Sequence, residues 1–110
     1  MANSQQTLAA AGSGMKTGTY VGNGAASHEI DIGVDLLGKT CAFVIVKGHE
    51  VEEPVIKSNE MAGDNSFLLI TKTLVTDEIM ELRAVGFEVG WGGVVNISGK
   101  TYYYAAFWTD

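Results

Sequence analysis

The sequence predicts an all-β protein, an antiparallel sandwich or jelly roll of eight to nine short strands with a flexible N-terminal arm. Segments rich in β-branched and aromatic residues recur about every ten residues from residue 17 onward, with turn residues between them. Fourteen glycines against one proline suit tight hairpin turns. The sequence shows no alternation of strands with helices, and 110 residues are enough for one domain.

Residues 1–15 are small and polar with little apolar periodicity, and we expect a flexible arm there, ahead of a single β-sandwich domain over residues 16–110. The segment "TLAAA", which contains Leu8, has the composition for one helical turn against a partner, although it is too short to be helical alone. The arm is therefore expected to be dispensable for folding and needed for attachment to a partner.

The first two strands follow from local patterns. "TGTYVG" leads into the turn residues "NGAAS". "HEIDIGV" then alternates polar and apolar residues, which places Ile30 and Ile32 on one face of a half-buried strand.

The next strands are more apolar. "TCAFVIVK" is β-rich throughout and predicts a strand covered on both faces. Cys41, the single cysteine, opens this run and is expected to be a small buried residue. "EPVIKS" follows, with Pro54 at a strand start or edge.

After the strand predicted for "SFLLIT", residues 74–84 are ambiguous. Thr76 has the residue type of a helix cap, and Val75, Ile79 and Leu82 recur at helical spacing. The same residues fit a strand before the turn at Gly86. We favour the strand because the segment is short and another strand follows closely.

The C-terminal region predicts three strands, "GFEVGW", "VVNI" and "KTYYYAAFW". Gly92 and Gly93 separate the first two, and Ser98 and Gly99 separate the last two. Two-residue loops with glycine are typical of β-hairpins, because the favoured turns require positive φ.

The last of these strands is apolar on both faces. One face carries Tyr102, Tyr104, Ala106 and Trp108, and the other carries Tyr103, Ala105 and Phe107. Such a strand is either buried centrally within one domain, or packs one face into the core and the other into a subunit contact, where Tyr and Trp are enriched. The candidate interface residues are Leu8, Trp91, Tyr102, Tyr104 and Trp108.

Charge and composition exclude several classes of function. The net charge is −6, and the seven basic residues are scattered, so direct nucleic-acid binding is not expected. No apolar stretch approaches the length of a membrane span, and the N-terminus lacks the pattern of a secretory signal, so we expect synthesis in the cytoplasm.

No residue pattern indicates an enzyme, a metal site or a cofactor. His28 and His49 are the only histidines, and neither forms a metal-ligand spacing with Cys41. The carboxylates are spread along the chain, and "GSG" and "GNG" lack the flanking context of phosphate loops. A small hydrolase is thus the weakest of the functional hypotheses.

The succession "GTYVGNGAASHEIDIG", "FVIVK", "GFEVG" and "VNISGKTYYYAAFW" resembles a glycine-rich β module of tailed-bacteriophage structural proteins. The resemblance covers residues 17–108. It implies a non-enzymatic virion component made in the host cytoplasm, located in a tail fibre, a minor structural protein or a capsid-surface protein. The small size and the arm favour a capsid decoration protein. A tail fibre or a receptor- or carbohydrate-binding module with exposed aromatics remains the alternative.

We also expect self-association. An apolar fraction of 46%, together with a last strand that is apolar on both faces, exceeds what one small sandwich is expected to cover. We predict a homo-oligomer, namely a trimer, in which one face of the last strand lies at the contact. A capsid protein or another virion protein is predicted as a further partner.

Overall fold

The computed structural model of the protein describes residues 13–48, 53–61, 63–91 and 93–109. Within these residues the chain forms nine strands and no helix. The strands are β1 (Gly14–Val21), β2 (His28–Asp31), β3 (Cys41–Gly48), β4 (Val55–Ser58), β5 (Ser66–Leu68), β6 (Thr73–Val75), β7 (Ile79–Arg83), β8 (Gly86–Val89) and β9 (Thr101–Thr109). The predicted all-β class and strand number are confirmed.

The strands form two antiparallel sheets. The larger has six strands in the order β1-β9-β3-β4-β5-β6, and the smaller has three in the order β2-β8-β7. Strand β9 lies between β1 and β3 and pairs with both along its length. The last strand of the chain is therefore central in the larger sheet.

The core lies between the two sheets, in a sandwich-like arrangement. Phe87 of β8 is fully buried, and its ring meets those of Tyr20 and Tyr104 edge-on at centroid distances of 6.1 and 5.7 Å. Tyr20 stacks on Tyr102 at 5.4 Å. These offset and edge-on geometries are the ones that aromatic rings prefer. Other buried members of the core are Ile30, Ile32, Leu36, Ala42, Val44, Val46, Val55, Ile79, Leu82, Val89, Val95 and Ala106.

Local patterns predicted most of the strands. Ile30 and Ile32 are buried as expected, and the ambiguous segment contains β6 and β7, which confirms the strand interpretation. Strand β1 begins at Gly14 and pairs Met15 with Phe107, so the sheet starts two residues before the boundary predicted at residue 16. Residues 1–12 lie outside the described chain.

The prediction of a strand at "VVNI" is wrong, because residues 94–97 form a bent connection between β8 and β9. The buried side chain of Asn96 binds the turn that follows β1 instead. Its Oδ1 accepts a hydrogen bond from Asn23 N (3.1 Å) and lies 2.8 Å from His28 Nδ1, while its Nδ2 donates to Asn23 Oδ1 (3.1 Å) and Ala25 O (3.0 Å). Side-chain hydrogen bonds of this kind compete with strand pairing.

Strand β3 is also less covered than predicted. Its residues alternate between buried and half-buried positions, so only one face is fully covered. Cys41 is exposed, which contradicts its predicted burial. The reason is its place in the alternation, because the residues of β3 with odd numbers face away from the smaller sheet.

We expect Phe87→Ala to lower the free energy of unfolding by about 3–5 kcal/mol, because it leaves a cavity between the two sheets. Chemical denaturation measures this loss. Phe43→Ala is the matched control, since Phe43 is half-buried on β3, and its loss should be clearly smaller. If Phe87→Ala does not fold, Phe87→Leu gives a measurable midpoint. Equal losses for Phe87 and Phe43 would contradict the assigned core.

Candidate interaction surface

One face of the six-stranded sheet points away from the smaller sheet, and we call it the outer face. It consists of alternate residues from all six strands. They are Met15, Thr17, Thr19 and Val21 of β1, Thr101, Tyr103, Ala105, Phe107 and Thr109 of β9, Cys41, Phe43, Ile45 and Lys47 of β3, Ile56 and Ser58 of β4, Phe67 of β5 and Leu74 of β6.

The strand register makes this face continuous. Residues directly opposite one another form a row across all six strands: Thr17, Ala105, Ile45, Ile56, Phe67 and Leu74. A parallel row contains Met15, Phe107 and Phe43, and the rings of Phe43 and Phe107 are 5.8 Å apart. Cross-strand neighbours such as these contact one another on a sheet surface.

Several large side chains of the outer face are exposed to solvent. The exposed fractions are 63% for Met15, 59% for Leu74, 44% for Tyr103 and 39% for Phe107. Single exposed apolar residues are common on protein surfaces. A contiguous set on one flat face is instead typical of a surface that binds another molecule.

The outer face is nearly free of charge. Lys47 is its single charged residue, and Lys47 Nζ donates a hydrogen bond to Gly48 O at 2.9 Å. No aspartate or glutamate lies on this face within the described strands. The outer face therefore carries much less charge than the protein as a whole, whose net charge is −6.

The smaller sheet exposes an acidic surface on the opposite side of the sandwich. Glu88 of β8 lies directly between Glu29 and Glu81 on the neighbouring strands. Arg83 NH2 contacts Glu88 Oε1 at 2.8 Å, and Arg83 Nε lies 3.5 Å from Glu81 Oε1. Although burial opposes ionisation of Glu88, hydrogen bonds from Ser27 and Arg83 keep its pKa below the usual value.

The predicted interface residues do not all lie on one surface. Tyr102 is fully buried and Tyr104 is 8% exposed, so both belong to the core, which corrects their assignment to an interface. The cause is the register of β9, whose residues with even numbers face the smaller sheet. Trp108 is half-buried against the core, and Trp91 is 66% exposed on the connection after β8. Leu8 lies outside the described residues.

Sequence reasoning separated the two faces of the last strand correctly but selected the inward one. The exposed or half-buried residues of the outer face that were not among the predicted interface residues are Met15, Phe43, Tyr103, Phe107 and Leu74. Alternation identifies Tyr103 and Phe107 as a set. Because both faces are apolar, no polar residue marks which set faces solvent.

A groove of about 480 Å³ lies beside β4 and β7, and Lys57, Glu81 and Arg83 are among its lining residues. Lys57 is buried, and its Nζ donates to the carbonyl oxygens of Met61 (3.3 Å), Gly63 (2.9 Å) and Asn65 (2.6 Å). Burial lowers the pKa of Lys57. All three ammonium donors thus bind backbone, which indicates a structural role.

Glu78 forms hydrogen bonds to the connection between β8 and β9, which contains Trp91. Its backbone oxygen accepts from Gly90 N at 2.7 Å, and its Oε1 accepts from Val94 N at 3.3 Å. The residue is 5% exposed, and this burial raises the pKa of its carboxyl from 4.5 to about 7. Tyr20 Oη donates to Val95 O at 2.7 Å beside it.

Other kinds of site find no support in the described residues. Residues 13–48, 53–61, 63–91 and 93–109 contain no group of three or more His, Cys, Asp or Glu side chains placed to hold a metal ion. His49 lies outside these ranges. The same residues form no helix long and apolar enough to cross a membrane.

Comparison of the chain with protein-family models, curated proteins and solved structures gives no match.

We expect the stability of the protein to fall as pH rises from about 4.5 to about 7, because folded Glu78 keeps a proton that the unfolded chain loses in this range. The loss is at most about 3 kcal/mol. Glu78→Gln, which copies the neutral form, should match the wild type at pH 4 and exceed its stability at pH 8. Denaturation midpoints across this range measure the effect.

Glu60→Gln is the control for this experiment, because Glu60 is exposed, and its pH dependence should follow that of the wild type. Parallel curves for the wild type and Glu78→Gln would show that Glu78 does not titrate as a buried carboxyl.

Proposed function

We propose that this chain is a non-enzymatic structural protein of a tailed-bacteriophage virion, namely a small decoration protein that attaches to the capsid surface and associates with copies of itself. The observation that carries the proposal is the outer face, a wide and nearly uncharged sheet surface with exposed aromatic residues. Such a face gains free energy when another surface covers it.

Two further features support an assembly role. The motifs "GTYVGNGAASHEIDIG" and "VNISGKTYYYAAFW" carry the resemblance to phage structural proteins. In the structure these segments meet, since Asn23, Ala25 and His28 of the first contact Asn96 of the second. Hydrogen bonds thus join the two motifs at one corner of the sandwich.

Trp91 favours a second candidate function, a tail-fibre or receptor-binding module that recognises carbohydrate. Its indole is 66% exposed on the connection that Glu78 fastens to β7. A large ring held on a fixed loop presents a flat apolar surface for a ligand, with an N–H donor at its edge.

Removal of residues 1–12 is expected to leave the melting temperature within a few degrees of that of the full chain, because β1 begins at Gly14. The shortened chain should bind the phage particle more weakly. Binding to particles that lack the protein, followed by electron microscopy, measures both attachment and position. A drop in melting temperature of more than about 8 °C would mean that the segment belongs to the fold. Equal binding by the full chain and the shortened chain would show that residues 1–12 are not the attachment site.

If the receptor-binding alternative is correct, the full chain should bind specific sugars on a glycan array, and Trp91→Ala should abolish this binding. The melting temperature should not change, because Trp91 is exposed. Phe107→Ala, which also removes an exposed aromatic ring, is the control and should keep the binding. The decoration-protein proposal predicts no reproducible glycan binding by any of the three proteins.

A further inference from the structure

The two outer surfaces of the sandwich differ in a way that restricts the partner of the outer face. One surface is acidic, with Glu29 and Glu81 on either side of the buried Glu88 and with Arg83 as the basic residue that contacts Glu81 and Glu88. The other is the outer face, where Lys47 is the single charged residue among those of the six strands. A partner that covers the outer face must itself bring a largely uncharged surface, because burying an unpaired charge is costly.

We propose that the outer face packs against the same face of a second copy of this chain, with Phe43, Tyr103 and Phe107 at the centre of the contact. This inference rests on the self-association in the proposed function and identifies its surface. Flat sheet faces with alternating apolar side chains pack against each other about 10 Å apart, as the two sheets of a sandwich do.

The charge distribution favours one orientation of two copies, with their outer faces together. Each chain carries a net charge of −6, so copies repel each other at long range. When the outer faces meet, the acidic sheets of the two copies lie on opposite sides of the assembly. Their carboxylates are then farther apart than the Debye length of about 8 Å at physiological ionic strength. This orientation brings the least charged surfaces together.

The size of the outer face also fits a protein partner of this kind. Six strands about 4.8 Å apart give a width of about 24 Å, and strands of eight residues give a length of about 27 Å. The area is roughly 500 Å², because β4, β5 and β6 have only four, three and three residues. A standard interface buries about 800 Å² on each partner, so this face supplies more than half of that area.

The edge of the larger sheet is a poorer place for association. β1 is an edge strand, and its Lys16 lies opposite Ala106, which is buried on the inner side of the sheet. Lys16 Nζ donates to Ile32 O at 2.7 Å. Inward-pointing charges on edge strands are a common protection against pairing with another sheet edge. The outer face has no such protection.

Sedimentation velocity of the full chain over a range of concentrations tests the contact. The wild type should form a species of about twice the chain mass of 11.7 kDa, because two copies whose outer faces meet cover each other and form a closed pair. Phe107→Glu and Tyr103→Glu place a carboxylate in the contact, and each should weaken association by at least about 30-fold. Tyr103, at 44% exposed, is the variant that is safer for folding.

Trp91→Glu is the matched control, because it adds the same charge at an exposed aromatic residue outside the outer face. It should associate like the wild type. Added salt should strengthen wild-type association, because it screens the repulsion between acidic chains and the contact itself is apolar. Weakening by salt, or equal effects of the three glutamates, would overturn the proposal.

Cys41 provides a local measurement, because it is exposed on the outer face and is the single cysteine. Its reaction with a maleimide should slow as wild-type chains associate and should not slow in Tyr103→Glu. A wild type that stays monomeric, with a labelling rate independent of concentration, would overturn the inference. If the monomeric protein still attaches to the virion, the proposed decoration function is retained and only the self-association is lost. If the protein associates with itself and does not attach to the virion, the decoration function is lost and the self-association is retained.

Discussion

Strand β9 is the element on which the rest of the structure depends. It pairs with β1 on one side and β3 on the other, so a single register decides which residues of three strands face the core. Tyr102 and Ala106 are fully buried, whereas Tyr103 and Phe107, which directly follow them in the sequence, are exposed. A slip of one residue would exchange these sets. The register of β9 with β1 and β3 thus determines both which residues form the core and which residues form the outer face.

The register is reinforced by the irregular connection between β8 and β9. Residues 94–97 of this connection have no strand pairing, so other groups must satisfy their buried backbone. Tyr20 Oη donates to Val95 O, Tyr102 Oη accepts from Ile97 N at 2.9 Å, and Glu78 accepts from Val94 N. Tyrosine is therefore needed at two core positions where phenylalanine would fill the same space, because its hydroxyl binds the connection.

These contacts explain which parts of the fold and of the outer face can be predicted from the sequence and which cannot. In "HEIDIGV", acidic residues mark the solvent side, and the burial of Ile30 and Ile32 follows from alternation alone. In "TYYYAAFW" both sides are apolar, so Tyr102 and Tyr104 cannot be distinguished from Tyr103 and Phe107 without the second sheet. "VVNI" has strand propensity, but Val95 O and Asn96 Oδ1 bind Tyr20 and Asn23, which are 75 and 73 positions away, beyond the reach of local patterns.

The place of β9 between β1 and β3 also affects how the chain reaches its folded state. The bond between Tyr20 and Val95 joins residues 75 positions apart, and pairings this distant in sequence form slowly. Until β9 inserts, β1 and β3 each have an open edge, and the apolar run "CAFVIV" in β3 stays accessible. Exposed segments of this composition aggregate readily. The time that β9 takes to insert therefore sets the period in which the unfinished chain is vulnerable to aggregation.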